Sequence, residues 1–215
     1  MLRFLVERTG RRPPGREYVQ VFVDGDAAQE AAGMALLAAS SLDDARSDPQ
    51  DDWIFSHELA HQWFGWLIPC ADFHDFWLNE GMATFLVAAT KEARWGRAAY
   101  DQEIAHWRTR SAKAHADGRD APLSPHAPGV PLLAPPRDTE LPVRGITYYR
   151  GALALDKLRH ELGDPIFWSG MRRYVRTQAG QNTRTEQLRA AFETASGRDL
   201  EPFFSRWIYT PAPDL

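Results

Sequence analysis

The sequence predicts a predominantly helical α+β fold with a small sheet near the amino terminus. Segment 17–25 has the alternation and the β-branched residues of a strand, whereas apolar residues recur at helical spacing from residue 52 onward. A chain of 215 residues is long enough for one sizeable core and too short for two generous ones. We therefore expect a single domain over residues 1–215.

The first predicted elements are a helix and a strand. The segment "MLRFLVERTG" has helical spacing and ends at a glycine, and "RRPPG" then forces a turn. In the strand "EYVQVFVDG", Val19, Val21 and Val23 share one face, and Gly25 marks the end. The stretch that follows, "DAAQEAAGMALL", contains Glu30 among alanines, and a glutamate in such a place is most often a solvated one.

The helical pattern continues almost to the end of the chain. Its predicted helices lie at about 52–67, 75–95, 97–116, 147–162, 164–179, 184–196 and 199–209. Between them, residues 117–145 contain seven prolines, which exclude a regular helix or a central strand. We predict a long loop there, either a linker or a functional segment that delivers the chain to "TYYRG".

Composition excludes several classes of partner. A net charge of −4 and a pI near 6.0 provide no basic surface for nucleic acid or for an acidic membrane. Cys70 is the only cysteine, so an internal disulfide is impossible, and we interpret it as a packed thiol. No segment has the apolar run of a signal peptide or of a membrane span, which favours a soluble protein in the cytoplasm.

The segment "FSHELAHQWFGW" carries the strongest chemical signal. His57 and His61 are four residues apart, so both imidazoles lie on one face of a helix and can bind one metal ion. Glu58 points about a quarter-turn away, which suits a general base acting on water better than a metal ligand. Two histidines leave zinc under-coordinated, because a catalytic zinc site generally has three protein ligands.

The segment "DFWLNEGMATFL" supplies a third ligand, Glu80, which is separated from His61 by 18 intervening residues and lies early in a second helix. Ala83 and Thr84 are small and would let the two helices approach closely. The larger residues Trp77, Phe85 and Leu86 would fill the core around them. Two histidines that merely pack inside a helix would not require either glutamate. The sequence therefore predicts one zinc ion held by His57, His61 and Glu80.

The motifs "HELAHQWFG" and "WLNEG" resemble the zinc aminopeptidases of the aminopeptidase N family, which are gluzincins. This resemblance implies a thermolysin-like catalytic domain in which His57, His61 and Glu80 bind zinc and Glu58 is the general base. The family also has a tyrosine followed by any residue, a basic residue and glycine. That pattern selects Tyr148 rather than Tyr149 in "TYYRG", as the donor that stabilises the oxyanion.

The resemblance also implies a role for Glu30. Family members bind the free α-ammonium group of the substrate through the glutamate of a Gly-Ala-Met-Glu-Asn-x-Gly segment, and "AAQEAAG" aligns Glu30 with that glutamate. Two positions depart from the family pattern, since Gln29 replaces its methionine and Ala31 its asparagine. A further departure is Val87, where many members have an acidic residue.

The resemblance runs along nearly the whole chain, but the N-terminal β domain usual in the family is absent from it, so we expect a catalytic domain, a natural short form or a fragment that lacks accessory domains. Candidate partners for the zinc-binding imidazoles are Asp72, Asp75 and Asn79. We assign no function to the remaining histidines, which are His74, His106, His115, His126 and His160.

The sequence as a whole predicts a zinc-dependent aminopeptidase that acts on peptides with a free N-terminus. A metalloendopeptidase is the first alternative, since the same zinc chemistry serves both and only Glu30 distinguishes them. A catalytically silent peptide-binding module of the same fold is the second.

Overall fold

The computed structural model describes residues 1–26, 28–117, 121–124 and 145–211. The strands are β1 (Val19–Val23), β2 (Gln29–Ala31) and β3 (Met34–Ala38). The helices are α1 (Leu2–Thr9), α2 (Ser40–Ser47), α3 (Trp53–Ala60), α4 (Trp77–Trp95), α5 (Arg97–Ala116), α6 (Gly151–Leu162), α7 (Asp164–Gln178), α8 (Thr185–Ser196) and α9 (Glu201–Trp207). The helix-rich α+β class with a small N-terminal sheet is confirmed.

The sheet has the strand order β1-β3-β2, with β1 parallel and β2 antiparallel to β3. Strands β2 and β3 form a tight hairpin, closed at Gly33 with a φ of 73°, and Glu30 in β2 pairs with Ala35 in β3. Neither strand was evident from the sequence, because segment 26–38 has no β-branched or aromatic residue. The predicted strand β1 is present, but Val19 and Val21 are 49% and 37% exposed and lie outside the core.

Helix α4 is the centre of the core. Its residues are buried without interruption from Trp77 to Lys91, and it packs against α3, α5 and α6. Trp77, Phe85 and Leu86 fill the core as expected, each at most 1% exposed. Within the described ranges, no helix has both the length and the apolar character needed to cross a membrane.

Helix α3 is shorter than the predicted 52–67. It ends at Ala60, and the chain then turns through Gly65, whose φ of 126° is incompatible with a helix and accessible mainly to glycine. Two backbone hydrogen bonds hold this turn, from Trp66 N–H to the carbonyl of His61 and from Ile68 N–H to that of Trp63. The two histidines therefore occupy the last turn and the C-cap of a short helix.

The second half of the chain follows the prediction more closely. Helices α5, α7 and α8 agree with their predicted ranges to within a residue or so at each end. The helix expected at 147–162 begins instead with a wide π-helical turn over Gly145–Arg150, and this turn contains Tyr148. The predicted proline-rich loop lies largely outside the described residues, at 118–120 and 125–144, as does His126.

Two glycines bring α4 and α6 into close contact. A Cβ atom on Gly81 would lie 3.0 Å from the Cα of Gly151 and 3.2 Å from the carbonyl oxygen of Thr147, so the two backbones touch. Ala83 and Thr84, expected to let α4 approach α3, are fully buried, and the close approach to α6 is made separately at Gly81. This contact fixes Glu80, on α4, relative to Tyr148, just before α6.

Replacing Gly81 by alanine tests this contact. At an open helical site the change would stabilise the fold by about 0.5–1 kcal/mol, whereas here the new methyl group meets backbone that cannot rotate away. We expect Gly81→Ala to lower the free energy of unfolding by about 1–3 kcal/mol, measured by urea denaturation. Gln102→Ala, on the exposed face of α5, should stay near wild type. A more stable Gly81→Ala protein would contradict the close contact.

Candidate active site

Three side chains converge where α3 meets α4. The Nε2 atom of His57 lies 3.2 Å from Nε2 of His61 and 3.2 Å from Oε2 of Glu80, and the His61–Glu80 distance is 3.5 Å. All three residues are buried. The residues predicted as metal ligands are thus brought together by the fold.

The spacing of these atoms matches that of ligands around one zinc ion. Zinc–nitrogen and zinc–oxygen bonds of about 2.0–2.2 Å in a tetrahedron place neighbouring ligand atoms about 3.3–3.6 Å apart. The three observed separations lie at or within about 0.2 Å of this range. Two imidazoles and a carboxylate are also a donor set typical of catalytic zinc, with a fourth position left for water or substrate.

The ring of His61 is oriented by its other nitrogen. Nδ1 lies 2.9 Å from the carbonyl oxygen of Phe64, and because a carbonyl only accepts hydrogen bonds, Nδ1 carries the hydrogen. In the neutral ring Nε2 is then the unprotonated nitrogen, which is the form that a metal binds. The turn at Gly65 that ends α3 therefore also supplies the partner of a ligand.

The charge of Glu80 requires compensation. Burial would raise the pKa of this carboxyl group, but hydrogen bonds from His57 and His61 outweigh that effect and lower the pKa to about 2. Burial would similarly lower the pKa of His61, yet the hydrogen bond and charge of Glu80 raise it to about 9. The site thus favours a positive charge beside Glu80, and a divalent cation between the three ligands would supply one.

Two aromatic rings pack against His57. The indole of Trp53 stacks on the imidazole with centroids 4.3 Å apart, and the ring of Tyr148 lies nearly parallel to it at 5.6 Å. Tyr148 is therefore in the site, as predicted, and is half-buried. Trp53 was not predicted, although its position four residues before His57 places it on the same face of α3.

The two remaining predicted residues lie beside the metal ligands. Carboxylate oxygens of Glu30 and Glu58 and a ring nitrogen of His61 all lie within 4.8 Å of one another. Glu58 is buried on α3, whereas Glu30 is half-buried on β2 and reaches the site from the hairpin. Every sequence-predicted site residue is thus close to the metal ligands.

The candidate partners of the imidazoles have other roles. Asp72 accepts hydrogen bonds from His74 N–H and Arg184, and the carboxylate of Asp75 accepts from the hydroxyl groups of Ser124 and Thr185. Both aspartates tie the start of α4 to α8. The side-chain oxygen of Asn79 accepts from Cys70 N–H.

Cys70 is half-buried, and its burial raises the pKa of the thiol to about 12, as a packed thiol would require.

Residues 26–207 match the family model described as the peptidase family M1 domain. The chain belongs to the M1 peptidase family. The expected resemblance to aminopeptidase N is confirmed by an aminopeptidase N of Streptomyces lividans, which is 33% identical over 92% of this chain and 23% of its own length. An aminopeptidase N of Lactococcus lactis subsp. lactis is 29% identical over 78% of this chain and 19% of its own.

Solved M1 structures have the same fold. An M1 zinc metallopeptidase from Deinococcus radiodurans superposes with a TM-score of 0.75 and 28% identity, over 98% of this chain and 43% of that one. Yeast LTA4 hydrolase superposes with a TM-score of 0.80 at 21% identity, which is a likeness of fold alone. The chain spans about a fifth of the length of these curated M1 relatives and less than half of these solved structures.

Removal of a ligand tests the metal centre. Loss of a residue that only hydrogen-bonds to a metal ligand typically weakens metal binding by about 10–100-fold. We expect His61→Ala and Glu80→Ala, which remove a ligand itself, to weaken zinc binding by more than that. The measurement is zinc content after dialysis, together with the rise in melting temperature on adding zinc. His106→Ala, which changes a histidine packed edge-on against Tyr149, should keep its zinc. Full zinc retention by His61→Ala would exclude this site.

Proposed function

We propose that this chain carries the hydrolytic centre of a zinc aminopeptidase, which removes the N-terminal residue of peptides. The observation that carries the proposal is the carboxylate of Glu30 within 4.8 Å of Glu58 and His61. A peptidase that cleaves one residue from the N-terminus needs a fixed negative charge close to the scissile bond. Glu30 is the half-buried carboxylate that reaches this site from outside the zinc helices.

Zinc held by His57, His61 and Glu80 would supply a Lewis acid that polarises the peptide carbonyl and lowers the pKa of water. Glu58 is the general base in this scheme. It takes a proton from the attacking water and then delivers it to the nitrogen of the leaving amine, which lets the C–N bond break. Its burial beside the ligands supports this role, because a base must lie within reach of the proton that it moves.

Tyr148 stabilises the negative charge that develops on the carbonyl oxygen. Its phenolic hydroxyl group donates a hydrogen bond and carries no charge of its own, so it interacts more strongly with the oxyanion than with the neutral carbonyl. Its stacking on the ring of His57 supports this role, since the contact holds the tyrosine beside a ligand.

Glu30 holds the α-ammonium group of the substrate. Two carboxylates as close as those of Glu30 and Glu58 favour a cation between or beside them, and an ammonium group can donate up to three hydrogen bonds. The named relatives support such a substrate: several are aminopeptidases, and a mutant of the Deinococcus radiodurans enzyme, 27% identical to this chain, was solved with a Tyr-Ser-Ala substrate. Since the relatives are longer, we infer that accessory domains complete the substrate pocket.

Glu58→Gln tests the general base. The amide cannot accept the proton, so we expect kcat to fall by at least about 10²–10⁴-fold while zinc content stays at the wild-type level. Hydrolysis of an unblocked aminoacyl reporter, before and after chelation, measures the effect. A silent peptide-binding module would bind peptides and zinc but hydrolyse no member of a varied peptide library, and that outcome would refute the enzymatic proposal.

Glu30→Ala tests the exopeptidase assignment. Loss of a charge-assisted hydrogen bond should lower kcat/KM for peptides with a free N-terminus by about 10–150-fold. Wild type should discriminate strongly against the same peptides when N-acetylated, and the variant should discriminate much less. If wild type cleaves both series equally well and Glu30→Ala changes little, the protein is an endopeptidase.

A further inference from the structure

Gln62 lies in the turn that follows α3 and connects this turn to the hairpin that carries Glu30. It follows His61 directly and is 1% exposed. Its Oε1 accepts a hydrogen bond of 2.8 Å from Gly33 N–H, and its Nε2 donates one of 3.0 Å to the carbonyl of Ala31. Both polar atoms of the Gln62 amide thus form hydrogen bonds with the backbone directly after Glu30.

The hydrogen-bonding groups fix the orientation of this amide. A backbone N–H only donates and a carbonyl only accepts, so the two ends of Gln62 are not interchangeable. Strand β2 has only three residues and lies at the end of the strand order, where β3 is its one strand neighbour in the described sheet. Gln62 therefore gives the hairpin a second attachment, adjacent in sequence to a metal ligand.

We propose that Gln62 is a positioning residue for recognition of the substrate amine. By holding residues 31 and 33 from a position directly after His61, it sets the distance between the carboxylate of Glu30 and the metal centre. The inference rests on the proposed aminopeptidase function and adds to it the residue that maintains the spacing between the two parts of the site.

A second glutamine near Glu30 has a different effect. Nε2 of Gln29 donates to Oε2 of Glu30 at 2.6 Å, but this hydrogen bond is exposed and joins sequence neighbours on the same strand. It orients the carboxylate without connecting the hairpin to the rest of the protein. The buried amide of Gln62, in contrast, links the hairpin to the turn after α3, and its loss would leave two backbone groups of the hairpin without their partner.

Gln62→Met separates positioning from stability because methionine has a similar length and cannot replace the two hydrogen bonds. The probes are leucine hydroxamate and 4-methylpentanoyl hydroxamate, which differ only in the α-amino group and both chelate zinc. Calorimetry gives the affinity of each for the zinc-loaded protein, and their ratio reports the contact between the amine and Glu30. No turnover is required.

We expect a wild-type ratio of about 10–150 in favour of the amine, the range for a charge-assisted hydrogen bond. Gln62→Met should lower this ratio about tenfold and leave affinity for the analogue without the amine nearly unchanged, because displacements near 1 Å weaken such contacts strongly. In a Glu30→Ala background, Gln62→Met should have no further effect on the ratio. Asparagine is one methylene shorter than glutamine and cannot reach both partners, so Gln62→Asn should behave like Gln62→Met. It replaces Gln62→Met in the experiment if the methionine variant does not fold.

Gln187→Met is the matched control. Its Oε1 accepts a hydrogen bond from Arg184 N–H at the start of α8, so the change removes one structural bond of an amide outside the site. It should lower stability and leave the ratio at its wild-type value.

Each contrary result has a separate meaning. A wild-type ratio near one would refute the proposed function, and the inference with it. A large wild-type ratio that persists in Gln62→Met and Gln62→Asn would refute the inference alone. Equal weakening of both hydroxamates would mean that Gln62 acts on the metal ligands, which also overturns a positioning role.

Discussion

The carboxylate of Glu80, in the first turn of the buried helix α4, is the constraint on which the rest of the site depends. A negative charge in the core is unfavourable unless a positive charge lies beside it. The rings of His57 and His61 meet this need from α3, and their separations from Glu80 suit a metal ion between them. The packing of α3 on α4 therefore also sets the geometry of the site.

Contact between the backbones of Gly81 and Gly151 extends this arrangement to a third helix. Each glycine follows a site residue closely, Gly81 directly after Glu80 and Gly151 three residues after Tyr148. The glycines of "NEG" and "YYRG" are thus explained by the same contact, and they hold Glu80 and Tyr148 at fixed positions around His57. Small residues in a motif can be as necessary as the reactive ones, because they decide how closely the backbones approach.

Local periodicity was sufficient to predict which side chains meet between α3 and α4, since the spacing of His57 and His61 follows from helix geometry and Glu80 lies in the first turn of α4. It also predicted most helices after residue 75. Non-local interactions account for what it missed. The alanine-rich hairpin pairs with β1 through β3, the chain after α3 turns at Gly65 with its positive φ, and Gln62 meets Ala31 and Gly33 across about thirty residues of chain.

The hairpin and the helices also divide the site between two substructures. Metal ligands and Glu58 belong to the helical core, where a substitution disturbs packing on every side, whereas Glu30 sits on a short strand near the surface. Under the proposed function, a mutation in the hairpin would therefore change recognition of the substrate amine while Glu58 and the metal ligands stay in place. Such a division would make the scaffold evolvable, because new specificities could arise in the sheet without disturbing the helical core.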